Sequence, residues 1–227
     1  MMLDGSDGSI LIDATLLTPD DGWDSKRQTM VVDAQDMVHI IWSDFRVNED
    51  DYIPELFYTK LDPSLDDQDG DAADEPTITS IDDTMLTTDD EEKSRAPQSA
   101  IQCGRYIHIT WYDDRLGGTD VFYMVLDTDG NIEVPETALT TNGSVTYSTY
   151  HFDNQPSLDV DSNGKAHTTW CDDRTGYYEV WYTSYQGPPC VPAAVPALTP
   201  IGLIALIGLL SVIAAISIST SIRKKRL

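Results

Sequence analysis

Four residue types at one fixed spacing, H-x-x-W-x-D-x-R, occur three times in this chain. They are His39, Trp42, Asp44 and Arg46, then His108, Trp111, Asp113 and Arg115, then His167, Trp170, Asp172 and Arg174. Recurrence of this kind marks a repeat architecture in which each copy folds into the same supersecondary unit. The middle copy lies in YIHITWYDDRLGGTDVFYMVLD, where the alternating runs Tyr106 to Trp111 and Val121 to Leu126 flank a polar turn containing Gly117 and Gly118. That is the pattern of a β-hairpin.

A second mark travels with the first. TLLT at Thr15 to Thr18 returns as TMLT at Thr84 to Thr87 and as TALT at Thr137 to Thr140, 27, 27 and 33 residues ahead of the repeat tryptophan. Each unit therefore has room for about four strands. In the middle unit they are expected at Gln98 to Gln102, Arg105 to Trp111, Asp120 to Asp127 and Asn131 to Thr140, joined by the turn signals CGR, DDRLGG and DTDGN. In the third unit DSNGK supplies the first turn, with Asn163 and Gly164 suited to positive φ.

Antiparallel units recurring at 69 and 59 residues, counted from tryptophan to tryptophan, predict an all-β fold of β-propeller blades over residues 1–186. About three four-stranded repeats make a partial ring, or half of a six-bladed one. The run Ile10 to Thr18 reads as the outermost strand of a blade and Glu179 to Gln186 as the third strand of another, so the first can complete the last and hide a free edge. Propellers typically have about four to eight blades. Two readings follow: a homodimer that completes a six-bladed ring, or a gene fragment whose upstream blades and signal peptide are missing. Residues 1–9, MMLDGSDGS, show neither a basic nor an apolar leader region.

Ahead of the last five residues, 39 acids stand against ten lysines and arginines, and the whole chain carries a formal charge of −25. Nucleic acid is a poor partner for such a surface. High salt, which screens its self-repulsion, suits it. Asp67, Asp69, Asp71 and Asp74 alternate as calcium ligands do, but the acid expected at loop position twelve is Ile78, so a Ca2+ site and a solvated acidic loop are both open. Asn142 opens an N-x-[ST] glycosylation triplet. The three cysteines have neither zinc-ligand spacing nor an even count. Cys171 takes the slot of Ser43 and Tyr112, which suggests core packing, with a Cys103 to Cys171 disulfide as the alternative.

The last 41 residues change character. Residues 187–200 form a proline-rich, stiff linker. Residues 201–222 carry no charge and are long enough for a membrane-spanning helix. Residues 223–227 hold four basic side chains that belong on the cytoplasmic side, which places the repeats outside the cell.

The tail resembles the VPXXXP-type sorting signal of archaeal surface proteins, matched by Val195, Pro196 and Pro200 and followed by the helix and basic cluster. That resemblance implies removal of the helix by an archaeosortase and attachment to lipid. The repeats, with W-x-D-D-R-x-G and the following D-V-F-Y or E-V-W-Y, are similar to blades of sialidase-like six-bladed propellers, although the Asp box of many such blades is absent. The second resemblance implies a substrate carboxylate clamped by three arginines, which would be Arg46, Arg115 and Arg174. Each of these follows an aspartate at the same offset, so a brace within its own turn is the simpler reading.

No carboxylate pair stands out as the nucleophile and acid of a glycosidase, and no catalytic residue is nominated. His39, His108 and His167 are equivalent and would make a metal site if they met on a ring axis. By strand parity each histidine and its tryptophan face opposite ways, so core residues with satisfied nitrogens are the plainer reading. Tyr177 and Tyr178, in the turn after Arg174, are the candidates for a ligand surface. The expected function is a cell-surface anchored, non-catalytic propeller for recognition, adhesion or envelope structure, with a carbohydrate or surface protein as ligand. The alternatives are a sialidase-like glycoside hydrolase and a calcium-dependent S-layer-like scaffold.

Overall fold

The computed structural model describes residues 2–3, 10–12, 16–48, 53–63, 79–141, 143 and 155–190. Asp67, Asp69, Asp71 and Asp74, Asn142, the motif Val195, Pro196 and Pro200, the apolar run 201–222 and the basic tail lie outside these residues. Among the described residues no helix is long and apolar enough to cross a membrane.

The described structure is all-β, and every sheet is antiparallel. Strand β1 (Met2–Leu3) pairs with β2 (Ile10–Ile12). The first large sheet is β3 (Ser25–Val32), β4 (Val38–Asn48), β5 (Ile53–Leu61) and β6 (Thr79–Met85), hydrogen-bonded in that order. The second is β7 (Ser94–Gln102), β8 (Tyr106–Asp113), β9 (Asp120–Asp127) and β10 (Ile132–Ala138). The third has three strands, β11 (Ser157–Val160), β12 (Lys165–Asp172) and β13 (Glu179–Gln186). The repeat motif begins in β4, β8 and β12, the second strand of each meander.

The strand expected from Gln98 instead starts at Ser94, because a bulge lies inside it. The β7–β8 register shifts between Arg95 and Gln98, with Ala96 at φ 58°. The β3–β4 register shifts at the equivalent place, between Lys26 and Thr29, with Arg27 at φ 58°. A left-handed conformation costs a residue with a side chain about 1–2 kcal/mol. Here it turns the Ala96 N–H out of its own ladder and onto Ser43 Oγ of the first sheet, at 3.0 Å.

The sheets stack face to face in chain order. Ile41 and Tyr58 of the first sheet share a core with Ile107, Trp111, Phe122 and Met124 of the second. The other face of the second sheet, with Tyr112, Tyr123 and Val125, packs on Trp170 and Ala166 of the third. The first strands also adjoin, since β7 lies against both β3 and β11. Sheets that stack in sequence with their first strands together have the relation of neighbouring blades in a propeller-like fold. Residues 10–12 do not extend a large sheet; they pair with Met2–Leu3, and Leu16, Leu17 and Thr18 lie beside Ile40 and Trp42.

Cys171 is a free, half-buried thiol on β12, and the alternative Cys103 to Cys171 disulfide does not form, because Cys103 bonds Cys190. Cys103 sits in the tight β7–β8 turn, where it and Gly104 take φ of 48° and 61°. After β13 the chain returns past that turn, and Gln102 Nε2 donates to the Pro188 carbonyl at 2.9 Å. The bridge spans a sequence separation of 87 residues. Reducing it is expected to cost about 2–4 kcal/mol of stability, read as a lower urea midpoint of the full chain with reductant than without. An unchanged midpoint would show that the bridge does not constrain the unfolded chain.

Candidate functional site

The repeat motif builds one buried corner three times. At the end of the second strand, Asp44, Asp113 and Asp172 are 1%, 1% and 0% exposed. Each accepts the indole N–H of the tryptophan two residues before it, at 2.8, 2.9 and 3.4 Å, and the backbone N–H of the arginine two residues after it, at 3.0, 3.0 and 2.8 Å. The guanidinium of that arginine folds back onto the same carboxylate. Ser25 and Ser94, on the first strands, donate to Asp44 and Asp113 at 2.9 and 3.1 Å. Burial alone would raise the Asp44 carboxyl, but the donors from Arg46, Trp42 and Ser25 outweigh it and hold it at about 2. The same opposition lowers Asp172.

Each arginine also lies over the ring cross-strand from its tryptophan. Arg46 stands 4.4 Å from the Phe57 centroid, Arg115 4.9 Å from Phe122, and Arg174 4.1 Å from Trp181. The three arginines are therefore not gathered on one carboxylate. Arg46 binds Asp44, Asp83 and Asp21, and Arg115 binds Asp113, Glu136 and Asp90. Among the described residues Arg174 has one carboxylate partner, Asp172, and its side chain is 28% exposed against 19% and 18% for the others.

The histidines do not converge either. His39 Nδ1 meets the Tyr58 hydroxyl at 2.9 Å and its Nε2 meets Asp33 at 3.2 Å. His167 has the same pair in Tyr182 and Asp161, at 2.8 and 3.4 Å. His108 has Tyr123 at 2.6 Å, but Gln102 in place of the acid at 2.7 Å. Burial lowers His39 against the pull of Asp33, while burial beside a neutral amide lowers His108 further, to about 4. Among the described residues no group of three or more His, Cys, Asp or Glu is placed to hold a metal ion.

Sequence reasoning missed a second buried acid. Glu55, opposite Asp44 in the β4–β5 ladder, is 0% exposed and accepts the Thr87 hydroxyl, while Thr87 Oγ1 accepts the Leu56 N–H at 2.9 Å. Asp120 and Thr140 repeat the arrangement at 2.6 Å, with the Val121 N–H donating to Thr140 at 3.0 Å. The last threonine of TxLT is thus a clasp between the end of the fourth strand and the start of the third. Burial, with Asp90 and Asp113 adding repulsion, pushes Glu55 up to about 8. The available signal was an acid opening each third strand in a unit that also carries TxLT, although the acid and the threonine are 32 residues apart in the first unit and 20 in the second.

Tyr177 and Tyr178 are 80% and 60% exposed, just beyond the Asp173–Gly176 turn that follows Arg174. With Arg174 they place a half-exposed cation and two exposed rings on one short segment. Such a set can stack on a flat ligand and meet an anionic group.

No protein-family model matches the chain, and no curated protein does. Among solved structures the chain is similar to an endo-arabinase from Bacteroides thetaiotaomicron, with 13% identity over 79% of this chain and 62% of that one and a TM-score of 0.47. It is also similar to the GH43 endo-arabinanase from Bacillus licheniformis, with 13% identity over 74% and 55% and a TM-score of 0.37. The chain spans less than two thirds of the length of either.

Two titrations test the buried groups. Stability from protonated Glu55 is complete below its ordinary value of 4.5 and is lost as pH rises through about 8. Glu55→Gln is expected to flatten the fall in Tm between pH 5 and pH 8.5, and an equally steep fall would show Glu55 to be ionised in the fold. For His108, imidazole NMR should show a neutral ring down to about pH 4, and Gln102→Asp should move its titration upward.

Proposed function

We propose that this chain is a non-catalytic recognition module of propeller-like fold, held at a cell surface, with carbohydrate as its ligand class. The observation that carries the reading is the segment Arg174 to Tyr178. It keeps two tyrosines in solvent and an arginine with one carboxylate partner, while the equivalent Arg46 and Arg115 are ringed by three acids each. Exposed rings that serve neither core nor turn are the usual platform for sugar faces.

The surface location is supported by the Cys103–Cys190 bridge, since structural disulfides belong mainly to oxidising compartments. It is also supported by the order of the tail: prolines, an uncharged run of membrane-spanning length, and four basic residues. In this reading the tail acts as a sorting and anchoring signal of archaeal type, and the acidic surface faces a salty exterior. The ion-binding scaffold reading rests on Asp67, Asp69, Asp71 and Asp74, outside the described residues.

A second reading, hydrolysis of an acidic glycan by a sialidase-like site, is favoured by the same Arg174, because a guanidinium that among the described residues ion-pairs with one carboxylate suits a uronate or sialate carboxylate. Binding and turnover by the full chain in detergent, measured on a panel of neutral and acidic oligosaccharides, separate the two. The expected result is binding without turnover, lost at least tenfold in Tyr177→Ala/Tyr178→Ala with an unchanged Tm. Unaltered binding in that variant would remove the site, and turnover that disappears in Arg174→Gln would establish the hydrolase.

A further inference from the structure

Equivalent residues of the three sheets have one burial in two sheets and another in the third. On the face that each sheet turns toward its successor, Leu56 and Val121 are 0% exposed, whereas Val180 is 76% exposed. Tyr58 and Tyr123 are 1% and 0% exposed, whereas Tyr182 is 58% exposed. His39 and His108 are 0% exposed, but the His167 side chain is 35% exposed although its hydrogen bonds to Tyr182 and Asp161 are formed. The third sheet thus presents, fully assembled, the face that in the other two sheets is a core.

The complementary face is at the other end of the chain. The face that receives a predecessor carries Trp111 and Ile101 in the second sheet and Trp170 and Val160 in the third, all packed against the preceding sheet. In the first sheet the same positions are Val32 and Trp42, the latter only 3% exposed beside the Leu16–Thr18 segment. Val32 is 43% exposed, and a groove of about 280 Å³ runs between Leu16, Leu17, Ile40 and Trp42.

The TxLT segment explains that groove. Leu86 of TMLT packs with Trp111 of the following sheet, and Leu139 of TALT with Trp170. Leu17 of TLLT lies with Trp42 in the same relation. Residues 16–18 therefore occupy the fourth-strand end of a sheet that precedes the first one, and among the described residues no first three strands of such a sheet lie beside them. Among the described residues the third sheet has those three strands and no fourth. It also has the acid for the clasp: Glu179, opposite Asp172 as Glu55 is opposite Asp44, bonds Thr175 of its own turn at 2.9 Å for want of a strand-four threonine.

We infer that the third sheet of one copy and the Leu16–Thr18 segment of a second copy form a single four-stranded blade. The exposed face of Val180, Tyr182 and His167 then packs on Val32, Ile40 and Trp42 of that second copy. The contact joins different surfaces, and with each sheet turned by about a sixth of a circle from the last it recurs a second time between the same two chains and closes a six-bladed ring of two-fold symmetry. A second copy is the occupant because the exposed residues Val180 and Tyr182, and Val32 on the other face, are the repeat equivalents of residues that do pair, twice, within one chain. Thr18 takes the place of Thr87 and Thr140, its hydroxyl donating to Glu179 and accepting the Val180 N–H.

The test uses full-length chains in detergent, all carrying Cys171→Ser. One tagged chain carries Thr18→Cys and a differently tagged chain carries Glu179→Cys, the pair whose equivalents Thr140 and Asp120 touch at 2.6 Å. Mild oxidation of the mixture is expected to give a doubly tagged, disulfide-linked dimer, while Asp129→Cys in place of Glu179→Cys gives none. The native mass in density-matched detergent should be that of two chains, falling to one in Tyr182→Glu with the Cys103–Cys190 bridge retained. A monomeric native mass for the unmodified chain, or absence of the mixed dimer, overturns the inference. So does a link that forms only within one chain carrying both cysteines. The inference does not depend on the carbohydrate reading, since none of these outcomes involves Tyr177 or Tyr178.

Discussion

The fold turns on an aspartate sealed at the end of the second strand of each of the three large sheets. A carboxylate at 1% exposure is costly unless its oxygens are saturated. Here the donors are an indole N–H, a backbone N–H, a guanidinium and, in two sheets, a serine. Each donor does a second job. The tryptophan is held so that its ring packs on the sheet before it, the backbone N–H sets the bend that leaves the strand, and the arginine is laid over the aromatic ring of the third strand. The polar satisfaction of one buried ion and the apolar surface between sheets are thus the same constraint seen from two sides.

The three copies vary where their neighbours differ. Asp33 and Asp161 become Gln102 in the middle sheet, which removes a charge next to a completely buried histidine and frees an amide N–H for the Pro188 carbonyl near the disulfide. A carboxylate there would have no proton to give to that carbonyl. Arg46 and Arg115 each collect two further acids from adjoining segments, and among the described residues Arg174 collects none: position 143 is glycine where Asp21 and Asp90 stand in the earlier units, and no described fourth strand supplies a counterpart of Asp83 or Glu136. A framework residue in two repeats is by that loss a half-exposed cation in the third. The proposed carbohydrate site rests on this departure from symmetry, and the proposed pairing of two copies rests on the symmetry itself.

Much of the architecture was legible in the chain. Short apolar-rich runs bounded by turn residues located the second and third strands to within a residue or two, and in the middle sheet both faces of these strands are buried. The offset of aspartate and arginine foretold their pairing, because residues two apart across a bend are neighbours whatever lies beyond them. Histidines with satisfied nitrogens followed from strand parity. The start of β7 was misplaced because a bulge on Ala96 breaks the alternation that marks a strand.

What the chain settled by itself is therefore local: the repeat, the strands, the meander of each sheet and the Asp–Arg–Trp corner, all made from residues near one another in sequence. Tertiary structure decided the rest. Cys190 rather than Cys171 meets Cys103 because the segment after β13 passes the β7–β8 turn. Glu55 holds its proton because a neighbouring sheet seals it and two aspartates stand near. Tyr58 and Tyr182 have the same place in the same motif, and one is core while the other faces water. Burial belongs to the surface a residue meets, and that surface is set by how whole sheets stack.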